Sequence, residues 1–310
     1  MPVSYRIRLI APSGYCHNQS AAARGVAALH AAGHRLENSE IIHRRRQRFA
    51  GSEAERLADI NDIATLSPLP DILLAVRGGY GASRLLGDIR YADIATRLTG
   101  EQVALCGHSD FTAIQLALLA QTGLVTFSAP MLAGNFGAEP ISDYTKDHFF
   151  GLLGQKSYTI HWSENTQQSF HGAGTLWGGN LAMLTSLVGT PWMPDISDGI
   201  LVIEDVNEHP FRVERMLLQL YYTGILQRQQ AVIIGSFSGA TLSDYDQGYD
   251  FNTVWRYLSE LSGVPFIQGL KFGHEPETVT LPIGADATLH CQLGEVALTL
   301  SGYPVPQGQE

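Results

Sequence analysis

From Tyr5 to about Val125, short apolar runs alternate with longer amphipathic runs. This alternation is typical of strands and crossover helices in a mostly parallel sheet. The run at 71–76 is continuously apolar after its first residue, as expected of a central strand covered on both faces. The predicted strands cover residues 8–11, 37–42, 71–76, 103–106 and 125–130, and the predicted helices cover 21–29, a segment starting at Ser52, 111–119 and 143–153.

The second half of the chain has two patterns. Continuous apolar runs at 199–203, 231–235 and 265–268 predict more buried strands, whereas short alternating runs after residue 278 predict antiparallel strands. We therefore predict an α/β fold with two domains. Residues 1–165 form a Rossmann-like, mostly parallel sheet with flanking helices, and residues 166–310 form a mixed α/β domain with antiparallel strands.

The amino-acid composition argues against a membrane or a nucleic acid as the binding partner. The 310 residues carry a net charge of -10, and 45% of them are apolar. No apolar run reaches the ~20 residues of a membrane span, so we predict a soluble protein with no membrane partner. The negative charge disfavours nucleic acid, and the one basic run, residues 43–48, is interpreted as a solvated loop. The N-terminus lacks the pattern of a secretion signal, which favours a cytoplasmic protein.

The cysteines indicate neither a disulfide framework nor a structural metal site. Cys16, Cys106 and Cys291 are odd in number and lack CxxC spacing, which argues against disulfides and against a structural zinc site. We interpret them as reduced, mostly buried thiols. A catalytic metal site made of His108, Asp110, Glu208 and His209 is a further alternative, but no HExxH arrangement supports it.

Ser109 lies where a predicted buried strand breaks into a predicted helix. A serine in such a turn is placed like a nucleophile, with its oxygen exposed and the amides of the first helical turn beside it. Gly107 matches the usual esterase turn, but Phe111 stands where the second glycine is expected. The alternative is that Ser109 only caps the helix.

A glycine-rich segment, Arg77–Gly81, follows the predicted strand at 71–76. It does not fit the dinucleotide fingerprint, because Arg84 stands where the third glycine is expected, and no Walker lysine follows. The loop is able to donate an amide to an oxyanion formed at Ser109, since neighbouring parallel strands release their loops on the same sheet edge. A tight turn with positive φ is the alternative without chemistry.

Glu204 ends a predicted buried strand, where a carboxylate must be paired or hydrogen-bonded. His274 lies in a glycine-containing loop just after another predicted strand. Ser109, His274 and Glu204 would work as nucleophile, base and orienting carboxylate. Spacing alone leaves open whether the three residues meet. Glu208 and Asn207, in contrast, are explained as residues that cap the following helix.

Six motifs together resemble the LD-carboxypeptidases over nearly the whole chain. They lie at residues 10–14, 76–81, 107–110, 174–181, 204–208 and 272–275. The resemblance implies a serine peptidase with Ser109 as nucleophile, Glu204 as orienting carboxylate and His274 as base. It also implies an oxyanion hole formed by the amides of Gly79 and Asp110, a homodimer, no metal and no cofactor.

The implied reaction removes the terminal D-alanine from a cytoplasmic murein tetrapeptide, and the tripeptide then returns to peptidoglycan recycling. The side chains expected to contact this substrate are Arg77, Tyr80, Trp177 and Asn180, with Arg84 and Arg212 as further partners for its carboxylates. Two alternatives remain at this point. One is a self-immunity peptidase of the same family, which cleaves an aminoacyl nucleotide analogue. The other is a non-catalytic protein that binds phosphate or a nucleotide through the glycine loop.

Overall fold

The computed structural model describes residues 3–164 and 169–309. The predicted boundary between residues 165 and 166 lies outside the described residues. The strands are β1 (Arg6–Ile10), β2 (Arg35–Glu37), β3 (Ile72–Ala75), β4 (Ala104–Gly107), β5 (Thr126–Ser128), β6 (Ser157–Ser163), β7 (Phe170–Asn180), β8 (Ile200–Val206), β9 (Ala231–Ser238), β10 (Phe266–Ile267), β11 (Leu281–Ile283), β12 (Asp286–Gln292) and β13 (Glu295–Ser301). The α-helices are α1 (Gln19–Ala31), α2 (Glu53–Asn61), α3 (Tyr91–Leu98), α4 (Thr112–Thr122), α5 (Asp143–Leu153), α6 (Leu181–Ser186), α7 (Pro210–Tyr222) and α8 (Phe251–Ser262).

The first sheet has the order β11-β5-β4-β3-β1-β2. Strands β1 to β5 run parallel, and only β11, from late in the chain, joins the edge antiparallel to β5. All residues of β3 and β4 are buried, which explains their continuous apolar sequence. Because β3 and β4 are neighbours, the loops that follow them leave the same edge of the sheet.

The second sheet has the order β10-β9-β8-β7-β12-β13-β6. Strands β7 to β10 are parallel, while β6, β12 and β13 are antiparallel. Burial alternates residue by residue along β12 and β13, as in strands with only one face on a core. One continuous cluster of buried apolar residues joins the two sheets. The predicted α/β class, with a mostly parallel sheet and a mixed sheet, is confirmed.

Several predicted elements differ from those observed. The strand expected at 37–42 is a short β2 followed by a 3-10 helix over Ser39–His43, because Asn38 between them has a φ of +65° and turns the chain. Strand β6 has no counterpart among the predicted elements, since its residues are largely polar and only one of them, Ile160, is buried. None of the described helices is long and apolar enough to cross a bilayer.

Candidate active site

Ser109 occupies a strained turn between β4 and α4. Its φ of +63° lies in the left-handed region that residues other than glycine rarely adopt. Residues Ser109–Phe111 form a 3-10 turn that leads directly into α4. His108 and Phe111 hold the two N-cap positions, so Ser109 does not cap either helical segment. The capping interpretation is therefore wrong, and the strained turn directs the Ser109 hydroxyl toward another partner.

That partner is His274. The Nε2 atom of His274 lies 3.0 Å from Ser109 Oγ, and its Nδ1 atom lies 2.7 Å from Oε2 of Glu204. The three side chains come from the ends of β4 and β8 and from the loop after β10. The structure thus brings together the three residues that the sequence singled out. We call this arrangement the Ser–His–Glu chain.

Glu204 is buried, with only 1% of its surface exposed, and it is well partnered. Its second oxygen, Oε1, accepts a hydrogen bond of 3.1 Å from Nδ2 of Asn180. The same Nδ2 group donates to Oδ1 of Asp205, also at 3.1 Å, and Oδ2 of Asp205 accepts from the amide of Ala182. These bonds compensate for removing two carboxylates from water.

Burial of His274 lowers its pKa, but the hydrogen bond and charge of Glu204, with Asp205 and Glu275 nearby, outweigh burial. The pKa of His274 therefore lies above its ordinary value. Burial, followed by the charge of Glu204, raises the pKa of Asp205 to about 6. His108 packs edge-on against the His274 ring, with centroids 5.4 Å apart. Burial and the neighbouring His274 lower the pKa of His108 to about 4, so it stays neutral at pH 7.

The glycine loop after β3 lies directly over Ser109. A Cβ atom built on Gly78 would stand 2.8 Å from Ser109 Cβ and 2.9 Å from Ser109 Oγ, so only glycine fits there. The loop is anchored by the amide of Gly14, which donates to the Gly78 carbonyl at 3.1 Å. Gly79 has a φ of +76°, as expected for a tight turn that requires positive φ.

The peptide nitrogen of Asp110 lies 3.4 Å from a Cβ built on Gly78, and Gly79, with its peptide N–H, lines the space over Ser109. No residue in the described ranges accepts a hydrogen bond from either group. The Asp110 side chain, in contrast, turns away, since its Oδ2 accepts from the amide of Ala82 at 2.8 Å. Burial raises the pKa of Asp110. Two amide donors beside a hydroxyl are what an oxyanion hole requires.

A cleft of about 440 Å³ opens over Ser109 and His274. Arg77 lines it and is oriented by bonds from its Nη1 atom to the Tyr15 carbonyl at 2.8 Å and to His17 Nδ1 at 3.1 Å. The sequence did not reveal several other lining residues, namely Cys16, His17, Asn18, Met131 and Asn135. Two of them have evident structural roles, because Asn18 caps α1 and Asn135 accepts from the Met131 amide.

The remaining candidates for substrate contact lie elsewhere. Trp177 is completely buried and donates from Nε1 to Gln229, and Asn180 lies behind Glu204 with 6% of its surface exposed. Neither lines the cleft, which corrects the expectation that they contact the substrate. Tyr80 is 45% exposed and lines an adjoining pocket. Arg84 and Arg212 are paired with Glu53 and Glu208, outside the cleft.

The proposed metal ligands do not converge either. His209 bonds through Nε2 to Asp246 at 3.2 Å, while His108 Nδ1 faces the Ala129 carbonyl. In the part of the chain that the structure describes, no three histidine, cysteine or acidic residues are arranged to hold a metal ion. The site therefore consists of a hydroxyl, an imidazole, a buried carboxylate and two free amides. Such a set can carry out acyl transfer.

Known proteins share this architecture. A family model described as the LD-carboxypeptidase N-terminal domain matches residues 7–129, and the model of the corresponding C-terminal domain matches residues 173–289. The "Probable murein peptide carboxypeptidase" of Bacillus subtilis is 31% identical over 245 residues, covering 78% of this chain and 75% of that protein. The "Microcin C7 self-immunity protein MccF" of Escherichia coli is 27% identical over 309 residues, with 89% and 87% covered.

Solved structures agree with these matches. A muramoyltetrapeptide carboxypeptidase from Oxalobacter formigenes superposes with a TM-score of 0.90 at 42% identity, covering 96% of this chain and 99% of that one. MccF without ligand superposes with a TM-score of 0.86 at 23% identity, covering 98% of both chains, which shows a shared fold. On the two domain matches and these relatives, this chain belongs to the LD-carboxypeptidase family.

Proposed function

We propose that this protein is a serine carboxypeptidase that hydrolyses the L,D bond between meso-diaminopimelate and the terminal D-alanine of murein tetrapeptides. The observation that carries the proposal is the Ser–His–Glu chain, with contacts of 3.0 Å and 2.7 Å on the two nitrogens of one imidazole. The 42% identity to a muramoyltetrapeptide carboxypeptidase supports the choice of substrate.

In the first half-reaction, Ser109 Oγ attacks the carbonyl carbon of the scissile bond while His274 Nε2 takes the hydroxyl proton. The carbonyl oxygen becomes an oxyanion, which the amides of Gly79 and Asp110 stabilise. His274 then gives its proton to the alanine nitrogen as the C–N bond breaks. D-Alanine leaves, and the tripeptide remains as an ester on Ser109.

The second half-reaction repeats these roles with water. His274 takes a proton from the water that attacks the ester, and the proton returns to Ser109 as the tripeptide leaves. Glu204 holds Nδ1 of His274 protonated and stabilises the imidazolium that forms twice in each cycle. Because Glu204 is buried and bonded to Asn180, it keeps this orientation without rearrangement.

Arg77 is the side chain that we propose to bind a carboxylate of the substrate. It lines the cleft beside Ser109, and no carboxylate of the described residues pairs with it. A guanidinium presents several N–H groups in one plane and therefore suits a carboxylate. Trp177 and Asn180 are assigned no such role, since both lie behind the cleft.

The decisive experiment compares three substrates under one set of conditions: the murein tetrapeptide, the corresponding pentapeptide and an aminoacyl sulfamoyl nucleotide. We expect release of D-alanine from the tetrapeptide with the highest kcat/KM, and the same activity after treatment with a chelator. Ser109→Ala should abolish turnover, with a loss of about 10⁴-fold or more. Ser128→Ala, a buried serine at the end of β5, is the matched control.

The same measurements separate the alternatives. Preferential cleavage of the aminoacyl nucleotide would favour a self-immunity peptidase, a role motivated by the similarity to MccF. Ligand binding without turnover, unchanged in Ser109→Ala, would favour a non-catalytic nucleotide-binding protein. Loss of tetrapeptide hydrolysis on chelation would contradict a metal-free mechanism based on Ser109, His274 and Glu204.

We further propose that the enzyme acts in the cytoplasm on recycled murein peptides and forms a homodimer, as the family resemblance implies. Light scattering on the purified protein tests the dimer, and a mass equal to one chain would contradict it. Accumulation of tetrapeptide in the cytoplasmic fraction of a strain that lacks the gene tests the recycling role.

A further inference from the structure

A second pocket, of about 350 Å³, opens beside the catalytic cleft. It shares Arg77 and Gly79 with the cleft and continues to Arg45 and Arg48. We call it the arginine pocket. Because Gly79 borders both spaces, a substrate whose scissile carbonyl lies at Ser109 has a direct path into the arginine pocket.

The arginine pocket is fixed to the glycine loop by backbone hydrogen bonds. Arg46 and Phe49 exchange hydrogen bonds of 3.0 Å across a tight turn, and the Tyr15 amide donates to the Arg48 carbonyl at 2.8 Å. The neighbouring Gly14 amide donates to Gly78 at 3.1 Å. The basic turn is therefore tied, through one short segment, to the loop that covers Ser109.

The three arginines form no ion pairs. In the described part of the chain, no carboxylate lies within ion-pair distance of Arg45, Arg48 or Arg77. The neighbouring Arg44, in contrast, is paired with Asp59 at 2.6 Å. In a protein with a net charge of -10, three guanidinium groups without a carboxylate partner around one pocket create a local positive field that attracts anions.

Two of these guanidinium groups lie over tyrosine rings. Arg45 Cζ lies 4.6 Å from the centre of the Tyr15 ring, and Arg48 Cζ lies 5.9 Å from that of Tyr80. Stacking on a ring fixes the plane of a guanidinium and leaves N–H groups on its edge able to bind an oxyanion. Arg45 donates from Nε to the Gln47 carbonyl. Its two terminal nitrogens have no hydrogen-bond partner among the described residues and are able to bind an anion.

We propose that the arginine pocket binds a second anionic group of the substrate, a carboxylate or a phosphate, on the part of the molecule remote from the released alanine. The inference rests on the proposed function. In a murein tetrapeptide, the glutamate that precedes diaminopimelate is linked through its side chain and carries a free α-carboxylate. A nucleotide-linked tetrapeptide also carries phosphates, which lie still farther from the released alanine. Both present oxygens that guanidinium groups bind through paired hydrogen bonds.

The test uses the full-length enzyme and three substrates: the free tetrapeptide, the same peptide amidated at the glutamyl α-carboxylate, and the tetrapeptide linked to its uridine nucleotide. The double variant R45Q/R48Q removes two charges from the pocket. We expect its KM for the free tetrapeptide to rise about 10-fold or more, with a much smaller change in kcat, as for the loss of charged hydrogen bonds. Arg35→Gln, at an exposed position on β2, is the matched control.

The pattern over the substrates identifies the anion. If the carboxylate is bound, amidation raises KM in the wild-type enzyme and has no further effect in R45Q/R48Q. If phosphate is bound, the variant loses affinity only for the nucleotide-linked substrate. Equal KM values in wild-type and variant for all substrates, or the same rise in Arg35→Gln, would overturn the arginine pocket alone. Failure of the wild-type enzyme to release D-alanine would overturn the proposed function and this inference with it.

Discussion

Ser109 follows a buried parallel strand and Glu204 lies near the end of another, yet different interactions hold the two side chains in place. Ser109 is fixed by backbone geometry, with a φ of +63° and a glycine loop packed against its side chain. Glu204 lies within β8, where the pairing with β9 shifts register between Ile203 and Asp205, and it is fixed by hydrogen bonds from Asn180 and His274. Substitutions that change shape should therefore disturb the position of Ser109, and substitutions that change hydrogen bonding or charge should disturb Glu204 and His274.

The largest effect is expected from Glu204→Gln, which keeps the shape of the side chain and removes its charge. Without the carboxylate, His274 loses both its preferred tautomer and the stabilisation of its charged form. We expect kcat to fall by about 10³- to 10⁴-fold while the fold is retained. Steady-state kinetics and circular dichroism check this. Glu208→Gln, four residues later, should stay within about twofold, and a similar loss in that control would contradict the assignment.

Gly78→Ala tests the serine side. The new methyl group would overlap Ser109 Cβ and Oγ, so the hydroxyl must move relative to His274. We expect a loss in kcat/KM of about 100-fold, the order expected for a displacement near ~1 Å. Gly87→Ala is the control, because a Cβ there meets nothing within 4 Å. Full activity in Gly78→Ala would show that backbone geometry does not fix the serine.

Asn180→Ala tests the hydrogen bonds behind Glu204. The variant removes the donor to Glu204 Oε1, and it also removes the cap of α6. We expect kcat to fall about 10-fold and stability to fall by about 1 kcal/mol. Asp250→Ala removes the cap of α8 and should reproduce only the loss of stability. If both variants lose activity equally in kinetic assays, Asn180 acts through stability alone.

The smallest effect concerns pH. His274 accepts a proton only when it is neutral, and Glu204 raises its pKa above the usual value of ~6.5. Activity should therefore decline on acidification with an apparent pKa above 6.5, and this limb should move to lower pH in Glu204→Gln. The pH dependence of kcat/KM measures both. A limb at or below 6.5 in the wild-type enzyme would contradict the raised pKa.

The sequence predicted which residues form the candidate site better than it predicted that they contact one another. Ser109, Glu204 and His274 each follow a predicted strand, and parallel strands place their carboxyl ends at functional edges. Their contact is a different matter, because Ser109 and His274 are 165 positions apart. Only the packing of the two sheets creates it, with the Asn180 amide bonded to Thr112 Oγ1 at the junction.

Other features had ambiguous sequence patterns. An asparagine beside paired glycines, such as Asn180, is compatible with a residue that lines a cleft and with a buried hydrogen-bond donor. Only its exposure of 6% in the structure decides between the two interpretations. From the sequence, we interpret Arg45 and Arg48 as part of a solvated loop, because no residue close to them in sequence indicates that Tyr15 packs beside them. Strand β11 is short and apolar, and its return to the first sheet depends on a distant partner far earlier in the chain, at Thr126–Ser128.

That return of β11 has a consequence for biosynthesis. A ribosome completes the Ser109 turn early, then adds Glu204, and makes His274 shortly before Leu281–Ile283. The His274 loop is fixed at both ends only when β11 has paired with β5. A nascent chain that has not yet reached His274 therefore carries the proposed nucleophile without the proposed base. On the proposed mechanism, peptidase activity requires that residues as far as Ile283 have been made and that β11 has paired with β5.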